Sequence, residues 1–172
     1  MMIDNIKKKY ALFFMLILSM SALSLRCGIY SFKGSLPPHL HTIAIPLFEN
    51  RTAEFGVPEE LTDAVIEKFT QDNSLKIADR SNADVILEGT IVRINDRAGA
   101  YNSQERVQDL KIYITVSIKC IDQVKRQVLW EERLTQWGSY DPSEGPDARL
   151  DGLNDAIDKV SEEILNKTVS GW

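Results

Sequence analysis

Residues Leu110–Cys120 (LKIYITVSIKC) alternate without a break. Leu110, Ile112, Ile114, Val116, Ile118 and Cys120 fall at even positions, and Lys111, Tyr113, Thr115, Ser117 and Lys119 at odd ones. Successive side chains of a strand point to opposite faces, so this period of two fixes a strand with one covered face and one face left to water or a partner. A helix would scatter the same residues around its axis. Any fold for this chain must therefore contain a sheet that is packed on one side only.

The flanking segments supply the packing. Thr42–Phe48 (TIAIPLF) alternates, with Ile43, Ile45 and Leu47 on one face. Pro46 lacks a ladder donor, which places this strand at an edge or bulges it. Pro58 in a first helical turn, followed by Glu59 and Glu60 near the positive end of the dipole, starts a helix that ends near Asn73. Its buried stripe is Leu61, Ala64, Val65 and Phe69. Leu75–Ala78 is a short strand, and Asp84–Ile94 a longer one, apolar on both faces like a covered central strand. The polar segment Asn95–Gln108, with Gly99, reads as a long exposed hairpin loop. Asp122–Gln127 turns the chain into a strand over Val128–Tyr140, and Asp141–Pro146 is a turn-rich loop. A second helix runs from about Asp147 to Thr168, with Leu150, Leu153, Ile157, Val160 and Ile164 on its stripe. The order β-α-β-β-β-β-α predicts an α+β fold, a mixed sheet of about five strands with two helices packed on one face.

The N-terminus is of a different kind. Lys7, Lys8 and Lys9 precede the apolar run Ala11–Leu25, which is shorter than the about 20 residues of a permanent membrane span. Residues 1–26 are expected to be a cleaved signal peptide. Cys27 follows at once, where a lipoprotein would receive its lipid, and an acyl anchor there holds a chain to a membrane surface. Arg26 stands where a small residue usually precedes such a cysteine. The alternative is a secreted chain with a Cys27–Cys120 disulfide. Residues 27–40, with Gly28, Ser35, Pro37 and Pro38, read as the lipidated N-terminus and tether, and 41–172 as one domain.

Charge and chemistry narrow the function. The leader carries Lys7, Lys8, Lys9 and Arg26 against Asp4, so its removal takes the net charge from −5 to −8. An acidic domain is a poor general binder of nucleic acid. His39 and His41 read as solvated loop residues, and no Cys or carboxylate cluster completes a metal site around them. There is no GxSxG elbow, P-loop, CxxC or HExxH, so neither an enzyme nor a cofactor is expected beyond the lipid on Cys27. Glu59-Glu60, Glu131-Glu132 and Glu162-Glu163 are sequence neighbours that point apart. Trp130 and Trp137 fit core or rim, and Cys120 an inert buried thiol. Arg93, Lys111 and Lys119, with Lys125 and Arg126 at the next turn, form a positive strip if Arg93 shares the open face; ordinary solvated strand charge is the alternative.

The run Cys27–Phe32 (CGIYSF), then Gly34, Pro37-Pro38, Thr42–Asn50 (TIAIPLFEN) and Arg51, resembles the start of the lipopolysaccharide-assembly lipoproteins, the LptE family, in its non-enterobacterial form. The later strand ADVILEGTI, the alternating strand, the LWEE strand and the C-terminal helix follow the same order. The resemblance implies a small α/β sandwich that plugs and helps assemble the outer-membrane β-barrel translocon LptD, through which lipopolysaccharide reaches the outer leaflet. It implies Cys27 as the lipid site, no catalytic residues, and an outer-membrane location on the periplasmic side, which Gly28 after the cysteine favours. Arg93, Arg97, Arg106, Lys111 and Lys119 are then the expected contacts with barrel or lipopolysaccharide. "FEN" strands also occur in envelope lipoproteins that serve as secretion-channel subunits or activate peptidoglycan synthases, the alternative function.

Overall fold

The structure is a computed structural model that describes residues 36–101 and 107–170. Its order is β1 (Thr42–Ala44), β2 (Glu49–Asn50), α1 (Val57–Asp72), β3 (Lys76–Ile77), β4 (Val85–Tyr101), β5 (Val107–Asp122), β6 (Gln127–Tyr140), a 3-10 turn (Pro142–Glu144) and α2 (Pro146–Ser170). One mixed sheet runs β3-β1-β4-β5-β6, with β2 also paired to β4. The β1–β3, β1–β4 and β2–β4 pairs are parallel, and β4, β5 and β6 form an antiparallel meander. The α+β class is as expected.

The alternation in β5 is realised without exception from Lys111 to Cys120. Ile112, Ile114, Val116, Ile118 and Cys120 are all fully buried. Leu61, Val65 and Phe69 of α1 and Leu153, Ala156, Ile157, Val160 and Ile164 of α2 pack in the same core. Burying such side chains, at about 1.5–3 kcal/mol each, holds both helices to one face of the sheet. A close approach fixes α2 against β6: a Cβ on Gly138 would stand 1.9 Å from the carbonyl oxygen of Gly152. Cys120 is a free thiol, and burial pushes its pKa up to about 12, which keeps it protonated and inert.

Several expectations fail for local reasons. The strand expected over Thr42–Phe48 is broken at Pro46, so Ile43, Ala44, Ile45 and Phe48 are buried while Leu47 is 61% exposed. Proline offers no N–H to a ladder, and the chain rotates there before rejoining the sheet as β2. Leu150 is half exposed, because the buried stripe of α2 runs through Ala148 and Gly152 instead. β4 is covered on both faces only near its start, where Ile86 packs with Ala44 and Ala83 behind the sheet. His39 is part-buried and partnered rather than free in solvent: its Nε2 lies 2.7 Å from Oδ2 of the fully buried Asp122, while Leu40 beside it enters the core.

The largest correction concerns Asn95–Gln108. Residues Asn95–Tyr101 and Val107–Gln108 are strand, paired from Asn95↔Tyr113 to Ala98↔Leu110 in one register and on to Tyr101↔Val107 through irregularities around Ala100. A β-ladder is built from main-chain groups, so a polar two-stranded extension needs no apolar side chains once the hairpin is nucleated below it. Only 102–106, which include Arg106, lie outside the described residues of that segment.

Candidate interaction face

The face of the meander away from the helices carries the odd-numbered residues of β5. Residues directly opposite in an antiparallel pair share a face. Lys111, Tyr113, Thr115, Ser117 and Lys119 oppose Arg97, Asn95, Arg93, Thr90 and Glu88 of β4 on one side. On the other they oppose Ser139, Trp137, Thr135, Arg133 and Glu131 of β6. From α2, Lys159 reaches the edge of this face, its ammonium 4.9 Å from the Trp137 ring centroid and donating to the Trp137 carbonyl at 3.1 Å.

Two bulges decide which cations appear here. β4 and β5 keep one register from Val85↔Asp122 to Ile91↔Val116, then shift so that Arg93 pairs with Thr115. Without the extra residue, Val92, Arg93 would oppose Ile114 on the helix-covered face. β5 and β6 shift likewise between Ile121↔Val128 and Cys120↔Trp130, which sets Arg133 opposite Ser117 on the open face. Each bulge inserts one residue and inverts the side assignment beyond it.

The result is a concavity of about 310 Å³ lined by Val92, Arg93, Asn95, Arg97, Tyr113, Thr115, Arg133 and Thr135. The Thr115 and Thr135 hydroxyls meet at 3.0 Å on its floor. Arg97 lies over the Tyr113 ring, its guanidinium carbon 4.9 Å from the centroid, and Lys111 stands 3.7 Å from the Trp137 centroid. Trp137 is thus rim, while Trp130 packs against the core. Aromatic faces hold these cations without neutralising them. Among the described residues no carboxylate lies within ion-pairing distance of Arg93, Arg97, Lys111 or Arg133.

The other end of the same face is different. Lys119 is 4.0 Å from Glu131, and Arg80 2.6 Å from Glu88. The expected set therefore divides: Arg93, Arg97 and Lys111 come together, Lys119 belongs to a compensated end, and Arg106 lies outside the described residues. Lys125 and Arg126 sit in the β5–β6 turn at the far end, where Lys125 donates its N–H to Asp122 and Arg126 adopts φ 54°. Arg133 was not expected; only the β6 bulge brings it in. Unpaired guanidiniums around a hollow suit a phosphate or carboxylate, which each planar fork can bind through two hydrogen bonds. Among the described residues no cluster of His, Cys, Asp and Glu could hold a metal, and no helix is long and apolar enough to cross a membrane.

Known proteins place this architecture. A protein of Xanthomonas campestris superposes with a TM-score of 0.59 at 13% identity, over 80% of this chain and 91% of that one. A hypothetical protein of Chlamydia trachomatis gives 0.56 at 12%, over 77% and 97%. A minor lipoprotein of Acinetobacter baumannii gives 0.52 at 14%, over 78% and 94%. At such identities the likeness is one of fold. No curated protein matches the sequence. The model of the lipopolysaccharide-assembly family LptE matches residues 40–168, three quarters of the chain, and the chain belongs to that family.

Proposed function

We propose that this protein is an outer-membrane lipoprotein, anchored through Cys27, that docks with an LptD-like β-barrel translocon and assists its assembly and the passage of lipopolysaccharide. Family membership over residues 40–168 supports the assembly role. The observation that carries the contact surface is the uncompensated set Arg93, Arg97, Lys111 and Arg133 on the bare face of an acidic domain. Like charges gathered without counter-ions on one face are stabilised when an anion or acidic partner joins them. The anionic head of lipopolysaccharide fits that demand, and the barrel lumen presents it. The lipid on Cys27 keeps the domain at the membrane that holds the barrel.

The test expresses the full chain with its own leader and an affinity tag at the C-terminus, in cells labelled with a palmitate analogue. Wild type takes up label and brings down the barrel translocon; Cys27→Ala loses the label, leaves the membrane fraction and keeps its fold. Recovery of unlabelled Cys27, or of wild type without the barrel, removes this reading.

A further inference from the structure

Phe55 is 99% exposed, the barest large apolar side chain among the described residues. Its loop is not slack. The Asn50 carboxamide accepts from the Thr52 N–H at 2.9 Å and the Thr52 hydroxyl at 2.8 Å, and donates to the Glu54 carbonyl at 2.7 Å. The Arg51 N–H donates to the Ile91 carbonyl at 2.9 Å, tying the loop to β4. Arg149 of α2 grips Glu54 at 2.7 Å and Asp96 of β4 at 3.1 Å, and Tyr140 donates to Asp96 at 2.9 Å. Gly56, at φ 80°, then turns the chain into α1. Nine residues thus hold one phenyl ring in water, in a loop tied down by hydrogen bonds and ion pairs.

We infer that Phe55 is a preformed anchor for an apolar pocket with a basic rim on the barrel partner. The inference rests on the docking proposed above and adds a second contact, on the opposite side of the sheet from the arginines. A rigid aromatic that gives up all its water on docking contributes strongly to affinity, because little conformational freedom remains to be lost. The surroundings choose the occupant. Glu59, Glu60 and Asp63 follow on the first two turns of α1 with no ion pair among the described residues, and Arg149 is shared between two carboxylates. That acidic collar repels an anionic lipid surface and complements a basic protein rim.

The test uses the full lipidated chain co-expressed with the barrel translocon. A photoreactive benzoylphenylalanine replaces Phe55, and adducts are identified by mass; in parallel, Phe55→Ser and Phe55→Trp are compared for co-purified barrel and for thermal midpoint. The expected results are an adduct with the barrel, a loss of about tenfold or more of barrel with Phe55→Ser at an unchanged midpoint, and retention with Phe55→Trp. Adducts only with lipid, with a second copy or with the chain's own N-terminal segment overturn the inference, as does full recovery with Phe55→Ser. If wild type itself recovers no barrel, the docking proposal falls and takes this inference with it. Equal recovery by wild type and Phe55→Ser removes the anchor alone.

Discussion

The two faces of β5 are made by one strand and obey opposite rules. On the helix side Ile112, Ile114, Val116, Ile118 and Cys120 lose all contact with water, and a Cβ on Gly152 of α2 would stand 3.3 Å from the Ile112 side chain. On the open side Tyr113, Thr115 and Ser117 stay in partial contact with solvent, and Arg93, Arg97 and Arg133 project beside them. The covered face is selected for filling space, where a change of one methylene is felt. The open face holds like charges near one another with no described carboxylate to pair them, which adds nothing to stability.

The sharpest break of this comparison is a matched pair of substitutions. Ile114→Asp places a carboxylate with no partner in the core and should cost about 4 kcal/mol or more, enough to unfold a marginal domain. Thr115→Asp, one residue on, loses the Thr135 hydrogen bond and gains three guanidinium neighbours, and should cost about 1 kcal/mol or less. Thermal melts compare them; equal losses would contradict the division into faces. Next comes Gly138→Ala. Gly138 opposes Ile112 on the covered face, and its new methyl would meet the Gly152 carbonyl, so α2 must move at about 1–3 kcal/mol. Gly152→Ala should be milder, since its nearest contacts are 3.2–3.3 Å away and alanine favours the helix.

A smaller effect is set by pH at the end of the sheet. The Asp84 carboxyl is held below its usual range, first by the His41 N–H and then, against a burial effect that works upward, by the Thr42 hydroxyl and N–H. A folded-state pKa below the unfolded one contributes stability that is present above about pH 4 and is lost as pH falls through the folded value. Asp122, which accepts from Lys125 and meets His39, is also held low against burial and adds to the same loss. Asp84→Asn should therefore lower the midpoint at pH 7 and flatten its decline between pH 5 and pH 3. An unchanged slope would show that Asp84 binds its proton equally in both states.

The covered face was legible in the sequence because burial imposes a period, and a period is visible in one chain. The helices, the β5 strand and the β5–β6 turn followed from it. The open face was only half legible. Lys111 could be placed by alternation, but Arg93 and Arg133 take their side from bulges at Val92 and near Leu129, and a bulge leaves no mark in the order of side chains. Lys119 looked equivalent to Lys111 because the alternation is blind to what stands opposite; Glu131 and Glu88 separate them. The polar run Asn95–Gln108 looked like a loop for a related reason. Sequence pattern records what side chains bury, and the distal hairpin is held by its main chain.

Charge removal on the open face should have the least effect on folding and the greatest on binding. Arg93, Arg97 and Arg133 are exposed and pair with no described carboxylate, so changing all three to alanine should move the thermal midpoint little. The decisive measurement is the affinity of the wild-type and triple-alanine domains for purified lipopolysaccharide by titration calorimetry, at two salt concentrations. Tenfold or greater weakening in the triple variant, together with a shallower dependence on salt, is the result expected if this face receives the anionic head. Equal affinity and equal salt dependence in a correctly folded triple variant would contradict it.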